Sequence, residues 1–305
     1  MERIHDMIII GGGPAGYTSA LYAARAGLDA LVIEKMSAGG QMAVTDTIDN
    51  YSGFAEGIPG WELGMKMQAG AERFGAVTKY AEVKSLELSG AVKKVETASE
   101  TLLAKTVVIA TGAGPRELGI DREGEFVSRG VHYCAHCDGR FYKNKVVAVV
   151  GGGNSALEDA LYLSRLAAKV YLIHRRDSFR ASKIYVDALA KSTNIEFLSN
   201  SSVAELIADE RVTGIRLADG RELEINGLFV SIGRKPASEI VAGQLDLDEG
   251  GYIVADESTR TNIPGVYAVG DVRTKPLRQV VTAVGDGAVA VHFAEEYLAD
   301  IENRG

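Results

Sequence analysis

The chain has 305 residues, of which 46% are apolar, and a formal net charge of −8 from 33 basic and 41 acidic residues. This acidic balance argues against a nucleic-acid-binding protein, which carries a basic face. Two cysteines are too few for a secreted disulfide scaffold, and no apolar run approaches the roughly 18 residues that a membrane helix needs. A cytoplasmic enzyme of two α/β domains is therefore expected, with no nucleic-acid or membrane partner.

The first predicted unit is a strand, a glycine-rich turn, a helix and a second strand. The apolar run 7–10 leads into Gly11-Gly12-Gly13-Pro14-Ala15-Gly16, a helix is expected from Pro14 to about residue 26, and a strand at 30–33 ends at Glu34. Such a turn binds pyrophosphate because glycine permits close approach and the helix start attracts negative charge. The carboxylate of Glu34 accepts hydrogen bonds from ribose hydroxyls and repels a 2′-phosphate, which predicts FAD or NAD here.

Hairpin character at 77–96 and a buried strand at 106–112 follow, and then comes Cys134-Ala135-His136-Cys137-Asp138. A Cys-x-x-Cys pair stabilises one thiolate, so this pair is predicted to be a redox-active dithiol that attacks disulfides near neutral pH. Asp138 stands beside the second cysteine, where a carboxylate can exchange a proton with it.

Two alternatives remain for this cysteine pair. His132, Cys134, His136 and Cys137 are four possible zinc ligands, but such crowding rarely closes one tetrahedron, so no metal is predicted. The other alternative is a pair of inert buried cysteines.

The second predicted unit repeats the first, 140 positions later. The strand 146–150 precedes Gly151-Gly152-Gly153-Asn154-Ser155-Ala156, a helix is expected at about 155–168, and the strand 169–173 ends at His174. The position that corresponds to Glu34 therefore opens a cationic run, which contains His174, Arg175, Arg176 and Arg180. Cations at this position fit a 2′-phosphate and predict NADPH; the alternative is a solvated surface turn.

A hairpin-like stretch at 195–223 and a buried strand at 228–233 extend the repeat. The strand 265–271 has no counterpart in the second unit and is expected to return to the first, followed by a last helix at about 280–298. The prediction is therefore an inserted domain at 114–242 within a first domain made of 1–113 and 243–305, with links near 112–115 and 234–236. Asp271, at the end of the late strand, is a candidate partner for a ribose or ribityl hydroxyl.

The motifs together resemble low-molecular-weight thioredoxin reductase of the bacterial type over nearly the whole chain. The matching segments, all in family order, are Gly11 to Gly16, Gly39-Gly40-Gln41, Asn50, Ala110-Thr111-Gly112, Cys134 to Gly139, Gly151 to Glu158, His174 to Ala181, Gly270-Asp271-Val272 and Arg278-Gln279. The resemblance implies an α/β fold of two Rossmann-like, three-layer domains, with an NADPH domain inserted into an FAD domain.

The resemblance also implies the residues that hold each cofactor. For FAD they are Gly11, Gly13, Pro14, Ala15, Glu34, Gly40, Gln41, Asn50, Ala110, Gly112, Gly270, Asp271, Arg278, Gln279 and Val280. For NADPH they are Gly153, Asn154, Ser155, His174, Arg175, Arg176 and Arg180.

The implied mechanism passes hydride from NADPH to FAD, and the reduced flavin then opens the Cys134–Cys137 disulfide. The inserted domain rotates to bring the dithiol out, Cys134 attacks thioredoxin, Cys137 is the flavin-side thiol and Asp138 is the acid–base group. A cytoplasmic homodimer is expected. The chain departs from the family pattern at His136, where threonine is commoner, and no thioredoxin-like segment is appended.

Three other functions compete with this one. A ferredoxin-linked flavoenzyme of the same fold lacks the second glycine turn and its arginines, both of which are present here. A dithiol oxidase needs no NADPH site, and a non-catalytic nucleotide sensor needs no dithiol. The cationic run 174–180 and the Cys-x-x-Cys pair therefore favour a reductase.

Overall fold

A computed structural model of the protein describes residues 3–45 and 47–304. Its strands are β1 (Ile4–Ile10), β2 (Ala30–Glu34), β3 (Val77–Tyr80), β4 (Val83–Glu87), β5 (Lys93–Thr97), β6 (Thr101–Ile109), β7 (Ala113–Pro115), β8 (Val131–His132), β9 (Val146–Val150), β10 (Lys169–Ile173), β11 (Ile195–Leu198), β12 (Val203–Ala208), β13 (Val212–Leu217), β14 (Glu222–Glu224), β15 (Gly227–Val230), β16 (Arg234–Pro236) and β17 (Val266–Ala268). Its α-helices are α1 (Pro14–Arg25), α2 (Gly60–Glu72), α3 (Ala135–Asp138), α4 (Asn154–Ser164), α5 (Lys183–Leu189) and α6 (Val280–Arg304).

The chain forms two compact units, which the short strands β7 and β16 connect. The second unit is Pro115–Arg234, and the first comprises the residues up to Gly114 and from Lys235 onward. The inserted domain was predicted as 114–242, with its second link near 234–236, and the second unit ends at Arg234 within that link. Val241 and Leu245 belong to the first unit, where they are buried in an apolar cluster of its sheet.

The sheet of the first unit has a parallel part in the order β3-β2-β1-β6, and β17 pairs with the carboxyl-terminal end of β6. The antiparallel strands β5 and β4 extend the sheet from the first half of β6. Alternate residues of β1 face opposite sides, as a strand requires. Met7 and Ile9 lie in an apolar cluster with residues of α1 and α6, whereas Ile8 and Ile10 lie in a cluster with the hairpin β4–β5.

The sheet of the second unit is parallel throughout, in the order β11-β10-β9-β15-β8. Val147 and Val149 of β9 pack with α4, and Ala148 and Val150 lie in the cluster that contains the antiparallel sheet β12-β13-β14. Each unit therefore has a sheet that is covered on both faces, parallel throughout in the second unit and mixed in the first. This confirms the predicted α/β fold of two Rossmann-like domains.

The last strand of each parallel sheet has a different origin in the chain. In the first unit it is β17, which comes late and pairs with β6. In the second unit it is β8, which comes before β9 and pairs with β15. The sequence predicted no second-unit counterpart for β17, because β8 is only two residues long and stands out of order. Cys134 follows β8 closely and therefore lies at the carboxyl edge of the second sheet.

Five helices differ from the predictions, two of them in length, whereas α2, α3 and α5 were not predicted. α6 continues to Arg304, beyond the predicted end near residue 298, and α4 ends at Ser164, before the predicted end near residue 168. α2 has no predicted counterpart, since its exposed face carries Trp61 and Met65 and blurs the apolar period. Within the part of the chain that the structure describes, no helix has the length and apolar character needed to cross a membrane.

Candidate active site

The first glycine turn joins the end of β1 to the start of α1. Gly11 has φ +108°, and a Cβ at this position would lie 2.4 Å from the carbonyl oxygen of Ala110, at the end of β6. Only glycine permits this close approach of two strand ends. Pro14 is the first residue of α1, and a Cβ on Gly13 would meet no atom within 4 Å. The helix start is therefore an open cradle of backbone amides that suits an anion.

Glu34 lies beside this cradle, at the end of β2. The Gly12 amide donates to its Oε2 (2.7 Å), and the Met36 amide donates to its Oε1 (2.9 Å). The carboxylate is half-buried. Two charge-assisted hydrogen bonds hold this side chain in a defined position, from which its remaining lone pairs can accept from a diol.

Four more of the predicted FAD residues are brought together in pairs. A Cβ on Gly40 would lie 3.4 Å from the Cα of Gly13, so the 3-10 helix Gly40–Val44, which includes Gln41, begins against the cradle. The Asn50 amide Nδ2 donates to the Gln279 Oε1 (3.0 Å), immediately before α6 begins at Val280.

The late predicted FAD residues surround the 3-10 helix Gly270–Val272, which follows β17. A Cβ on Gly270 would lie 3.1 Å from the Cβ of Ala15 in α1. The Arg278 Nε donates to the backbone oxygen of Asp271 (3.3 Å), and its guanidinium lies 3.9 Å from the centroid of the Tyr252 ring. Gly112, with φ +73°, follows β6.

A buried charge cluster, which was not predicted from the sequence, supports this segment. Asp286 of α6 accepts from the Gly270 amide (2.8 Å), from Arg273 (2.7 and 2.8 Å) and from Lys275 (2.7 Å). Burial opposes ionisation of this carboxyl, but the bonds from Arg273 and Lys275 outweigh it and lower the pKa of Asp286. The cluster connects Gly270 to α6 through a hydrogen bond. No sequence motif predicts it, because its members come from separate segments.

The second glycine turn joins β9 to α4. Gly151 has φ +152°, and a Cβ there would lie 2.3 Å from the carbonyl oxygen of Ser231, after β15. Gly153 precedes α4, and a Cβ on it would meet no atom within 4 Å, as at Gly13. The exposed Asn154 accepts from the Ser182 amide (2.7 Å) through Oδ1, and Ser155 is exposed beside it.

His174 directly follows the last residue of β10 and lies beside this second cradle. A Cβ on Gly152 would lie 2.3 Å from the imidazole ring, and the ring stacks with Phe179 at a centroid distance of 6.0 Å. Burial lowers the pKa of His174, a backbone hydrogen bond at Ser178 opposes the shift, and the charges of the neighbouring arginines add to it. The imidazole is therefore favoured in its neutral form.

Three arginines follow His174 in the chain. Arg175, Arg176 and Arg180 are exposed, and the Arg180 amide donates to the backbone oxygen of Gly152 (2.8 Å). Among residues 3–45 and 47–304, no carboxylate lies within 4 Å of these three guanidinium groups. Their charge is thus available to an anionic ligand at the tip of β10.

The two cysteines form a disulfide at the start of α3, with their Cα atoms 5.3 Å apart. Cys134 caps this helix, since the Cys137 amide donates to its Sγ (3.2 Å) and the Asp138 amide donates to its backbone oxygen (3.1 Å). α3 packs on α4, because a Cβ on Gly139 would lie 2.9 Å from Tyr162 and Leu163. The dithiol and the second glycine turn therefore share one helix as a support.

Asp138 faces His132 of β8. The Asp138 Oδ2 lies 3.1 Å from the His132 Nδ1, and the His132 Nε2 lies 2.6 Å from the hydroxyl of Tyr142. The histidine ring also stacks with Phe229 at a centroid distance of 5.1 Å. From the sequence, His132 was predicted only as a possible zinc ligand, because nothing in the spacing shows which way its ring points.

His136, between the cysteines, points elsewhere. Its ring stacks on Tyr162 at 4.3 Å, and its Nδ1 lies 3.8 Å from Asp159, a carboxyl whose pKa burial raises. Within the described residues, no three of the histidine, cysteine and acidic side chains form a group that could hold a metal ion.

A model of the pyridine nucleotide-disulphide oxidoreductase family matches residues 5–287. The chain belongs to this family. The confirmed family accounts for both open cradles, since a pyridine nucleotide and a flavin dinucleotide each carry a pyrophosphate. The cofactors of this oxidoreductase are FAD and NADPH, and it acts on a sulfur group.

Relatives with established names agree with the family. This oxidoreductase is 46% identical to thioredoxin reductase of Listeria monocytogenes, over 99% of this chain and 96% of the relative. It is 45% identical to the bifunctional thioredoxin reductase/thioredoxin of Mycobacterium leprae, over 98% of this chain and 67% of that protein. The crystal structure of thioredoxin reductase from Streptococcus pyogenes superimposes with a TM-score of 0.92 and 42% identity, over 98% of this chain and 100% of that one.

Proposed function

We propose that this protein is a thioredoxin reductase, which reduces the disulfide of thioredoxin or of a thioredoxin-like redoxin at the expense of NADPH. The Cys134–Cys137 disulfide carries the proposal, because it lies at the carboxyl edge of the sheet that also ends in the second glycine turn and in the cationic tip after β10. The Mycobacterium leprae relative is named as a fusion with thioredoxin, which supports a redoxin as the substrate.

The two units would divide the cofactors. The first would hold FAD at the Gly13 cradle, with Glu34 directed to a ribose and with the segments around Asn50, Gly112, Gly270 and Arg278 completing the site. The second would hold NADPH at the Gly153 cradle, with Arg175, Arg176 and Arg180 directed to the 2′-phosphate. The open cradles and the opposite charges of the two tips support this division.

When bound, FAD supplies two-electron chemistry that links a hydride donor to a disulfide. The family resemblance gives each cysteine its role in the proposed sulfur chemistry. The Cys134 thiolate attacks the redoxin disulfide, so a mixed disulfide forms and a redoxin thiolate leaves. The Cys137 thiolate then attacks the Cys134 Sγ, which restores the Cys134–Cys137 disulfide and releases the second redoxin thiolate. Asp138 would accept the Cys137 thiol proton, and the redoxin sulfurs take up protons at the end.

A cytoplasmic homodimer is also part of this proposal. Trp61 and Met65, one turn apart on α2, are 55% and 57% exposed, which favours a covered apolar face in solution. Sedimentation velocity of the purified protein tests the dimer, and a single species of monomer mass at micromolar concentration would contradict it.

Anaerobic titration with NADPH, followed by oxidised thioredoxin, tests the proposal. The yellow flavoprotein should bleach with NADPH and regain its colour when thioredoxin is added. Cys137→Ser should retain a mixed disulfide with thioredoxin through Cys134, whereas Cys134→Ser should form none. Bleaching by reduced ferredoxin and not by NADPH would instead support the ferredoxin-linked alternative, and a mixed disulfide formed only by Cys134→Ser would reverse the two cysteine roles.

A further inference from the structure

We propose that His132 is a positioning residue for Asp138, and that a buried chain of contacts from Tyr142 through His132 to the Asp138 carboxylate prepares this carboxylate to accept the Cys137 proton. The inference deepens the proposed function and rests on it, because it concerns the proton step of the dithiol. It assigns a role to a histidine that precedes the cysteine pair and that the cofactor sites do not use.

The geometry places both ring nitrogens of His132 opposite polar groups. Its Nδ1 lies 3.1 Å from the Asp138 Oδ2, and its Nε2 lies 2.6 Å from the Tyr142 hydroxyl. His132 is 5% exposed, and the side chain of Asp138 is 18% exposed. Water therefore competes little with these contacts, which a low local dielectric strengthens.

The Tyr142 hydroxyl decides which nitrogen carries the proton. Burial raises the pKa of Tyr142 to about 12, the Asp138 charge adds to the shift, and Arg211 opposes it. The phenol therefore keeps its proton at neutral pH and is placed to donate to Nε2. The imidazole proton is then on Nδ1, opposite the Asp138 carboxylate.

The stacked rings hold this arrangement in place. Phe229, which is fully buried, stacks on His132 at 5.1 Å, and Tyr142 meets both rings edge-on at 5.2 and 5.4 Å. The titratable and charged groups that act on this network are Tyr142 and Arg211, beside Cys134 and Cys137, which titrate once their disulfide is reduced. Of these groups, Tyr142 is the one in contact with the His132 ring through a hydrogen bond.

The chemical consequence concerns one proton. A donor at Nδ1 stabilises the ionised carboxylate of Asp138, which is the form that accepts a proton from the Cys137 thiol. The carboxyl group that results passes the proton on as the redoxin thiolate leaves, so the step needs no further reactant. Loss of the donor leaves the carboxylate easier to protonate. In a profile of rate against pH, the acidic limb, where the rate falls as the pH decreases, should therefore move to higher pH.

The test is the reaction of the reduced holoenzyme with oxidised thioredoxin, measured by stopped flow across the pH range. His132→Leu removes the donor at similar volume, and we expect the acidic limb to move up by roughly one pH unit, so that the reaction is about 10-fold slower at pH values on that limb. His132→Asn keeps an amide donor near the position of Nδ1 and should restore most of the rate. Tyr142→Phe removes only the hydroxyl and should move the limb in the same direction by less.

Phe229→Leu is the matched control for packing. It removes the ring that stacks on His132 but leaves the two polar contacts, so it should lower the melting temperature without moving the acidic limb. In an Asp138→Asn background, His132→Leu should change the rate by less than about two-fold, because both changes act on one step. An unmoved limb in His132→Leu, an equal shift in Phe229→Leu, or a full His132→Leu loss in the Asp138→Asn background would each overturn the inference.

Alkylation of the reduced cysteines by iodoacetamide separates this inference from the proposed function, since it needs no partner protein. A wild-type enzyme whose cysteines are alkylated more slowly at low pH, but which does not react with thioredoxin, would contradict the proposed substrate. The role of His132 would then be tested by the same movement of the acidic limb in the alkylation of His132→Leu. The role of His132 alone would be contradicted if the wild-type enzyme reduces thioredoxin while His132→Leu and Tyr142→Phe are alkylated with the same dependence on pH as the wild type.

Discussion

The two glycine turns have a similar backbone arrangement, and they differ in the side chains at the end of the strand that follows each helix. Gly11 and Gly151 each lie against a carbonyl of the neighbouring strand, at 2.4 and 2.3 Å from the position of a Cβ, and each precedes an open helix start. The tip of β2 carries Glu34, which two amides hold, whereas the tip of β10 carries a neutral His174 and three exposed arginines. On the proposed division of the cofactors, the duplicated unit would bind a pyrophosphate twice, and a few side chains at the strand tip would decide the nucleotide.

The largest expected effect comes from adding a methyl group at each turn. Gly11→Ala and Gly151→Ala place a Cβ inside contact distance of a backbone oxygen at a positive φ, so each turn must move. Gly11→Ala should be purified without flavin, whereas Gly151→Ala should keep its flavin and bind NADPH about 100-fold more weakly or worse. Absorbance spectra and anaerobic NADPH titration measure both.

Gly70→Ala in α2 is the control for these variants, since a Cβ there meets no atom within 4 Å. It should match the wild-type protein in flavin content and in reduction. Reduction of Gly151→Ala by NADPH at wild-type affinity would show that the second turn does not bind the nucleotide.

A smaller effect is expected when only the cationic tip is changed. Arg175→Ala and Arg180→Ala each remove a charge-assisted contact worth about 1.5–3 kcal/mol, so NADPH should bind about 10- to 100-fold more weakly and NADH should be nearly unaffected. Arg221→Ala is the matched control, because Arg221 pairs with Asp219 in the same unit. An equal loss of affinity for NADPH and NADH would contradict the proposal that these arginines bind the 2′-phosphate.

The smallest effect is a pH dependence of stability that belongs to the second unit. Burial, together with the charges of the neighbouring arginines, lowers the pKa of His174, so the unfolded chain binds more protons than the folded one as the pH falls below about 6.5. The free energy of unfolding should therefore fall from about pH 6.5 through the lower folded pKa. His174→Gln should flatten this dependence, and His136→Gln should not.

Amide hydrogen exchange of β10 and α4 measures this dependence, because Trp61, the chain's single tryptophan, lies in the first unit and its fluorescence does not report on the second. An exchange rate in β10 that stays level between pH 7 and 5, after correction for intrinsic exchange, would contradict the buried, neutral state of His174.

Local patterns predicted the parts of the fold that repeat. A glycine turn between an apolar run and a helical period can be recognised within about 30 residues of sequence. The starts of α1 and β9 were therefore predicted close to where they are observed. The same reasoning failed for β8, since two residues give no period, and for α2, whose exposed face carries Trp61 and Met65. The bound of the inserted domain at 242 lay beyond the link at 234–236, because the burial of Val241 and Leu245 in the first unit depends on residues far away in the chain.

The amino-acid sequence by itself determined the two dinucleotide turns, the opposite charges at their tips and the dithiol between them, because each depends on residues that are close in the chain. Only the tertiary structure placed β8 at the edge of the second sheet, turned His132 toward Asp138 and Tyr142, and joined Asp286 to Gly270. These contacts form when distant segments pack and lose water together, so their partners are chosen by the folded core and not by spacing in the chain.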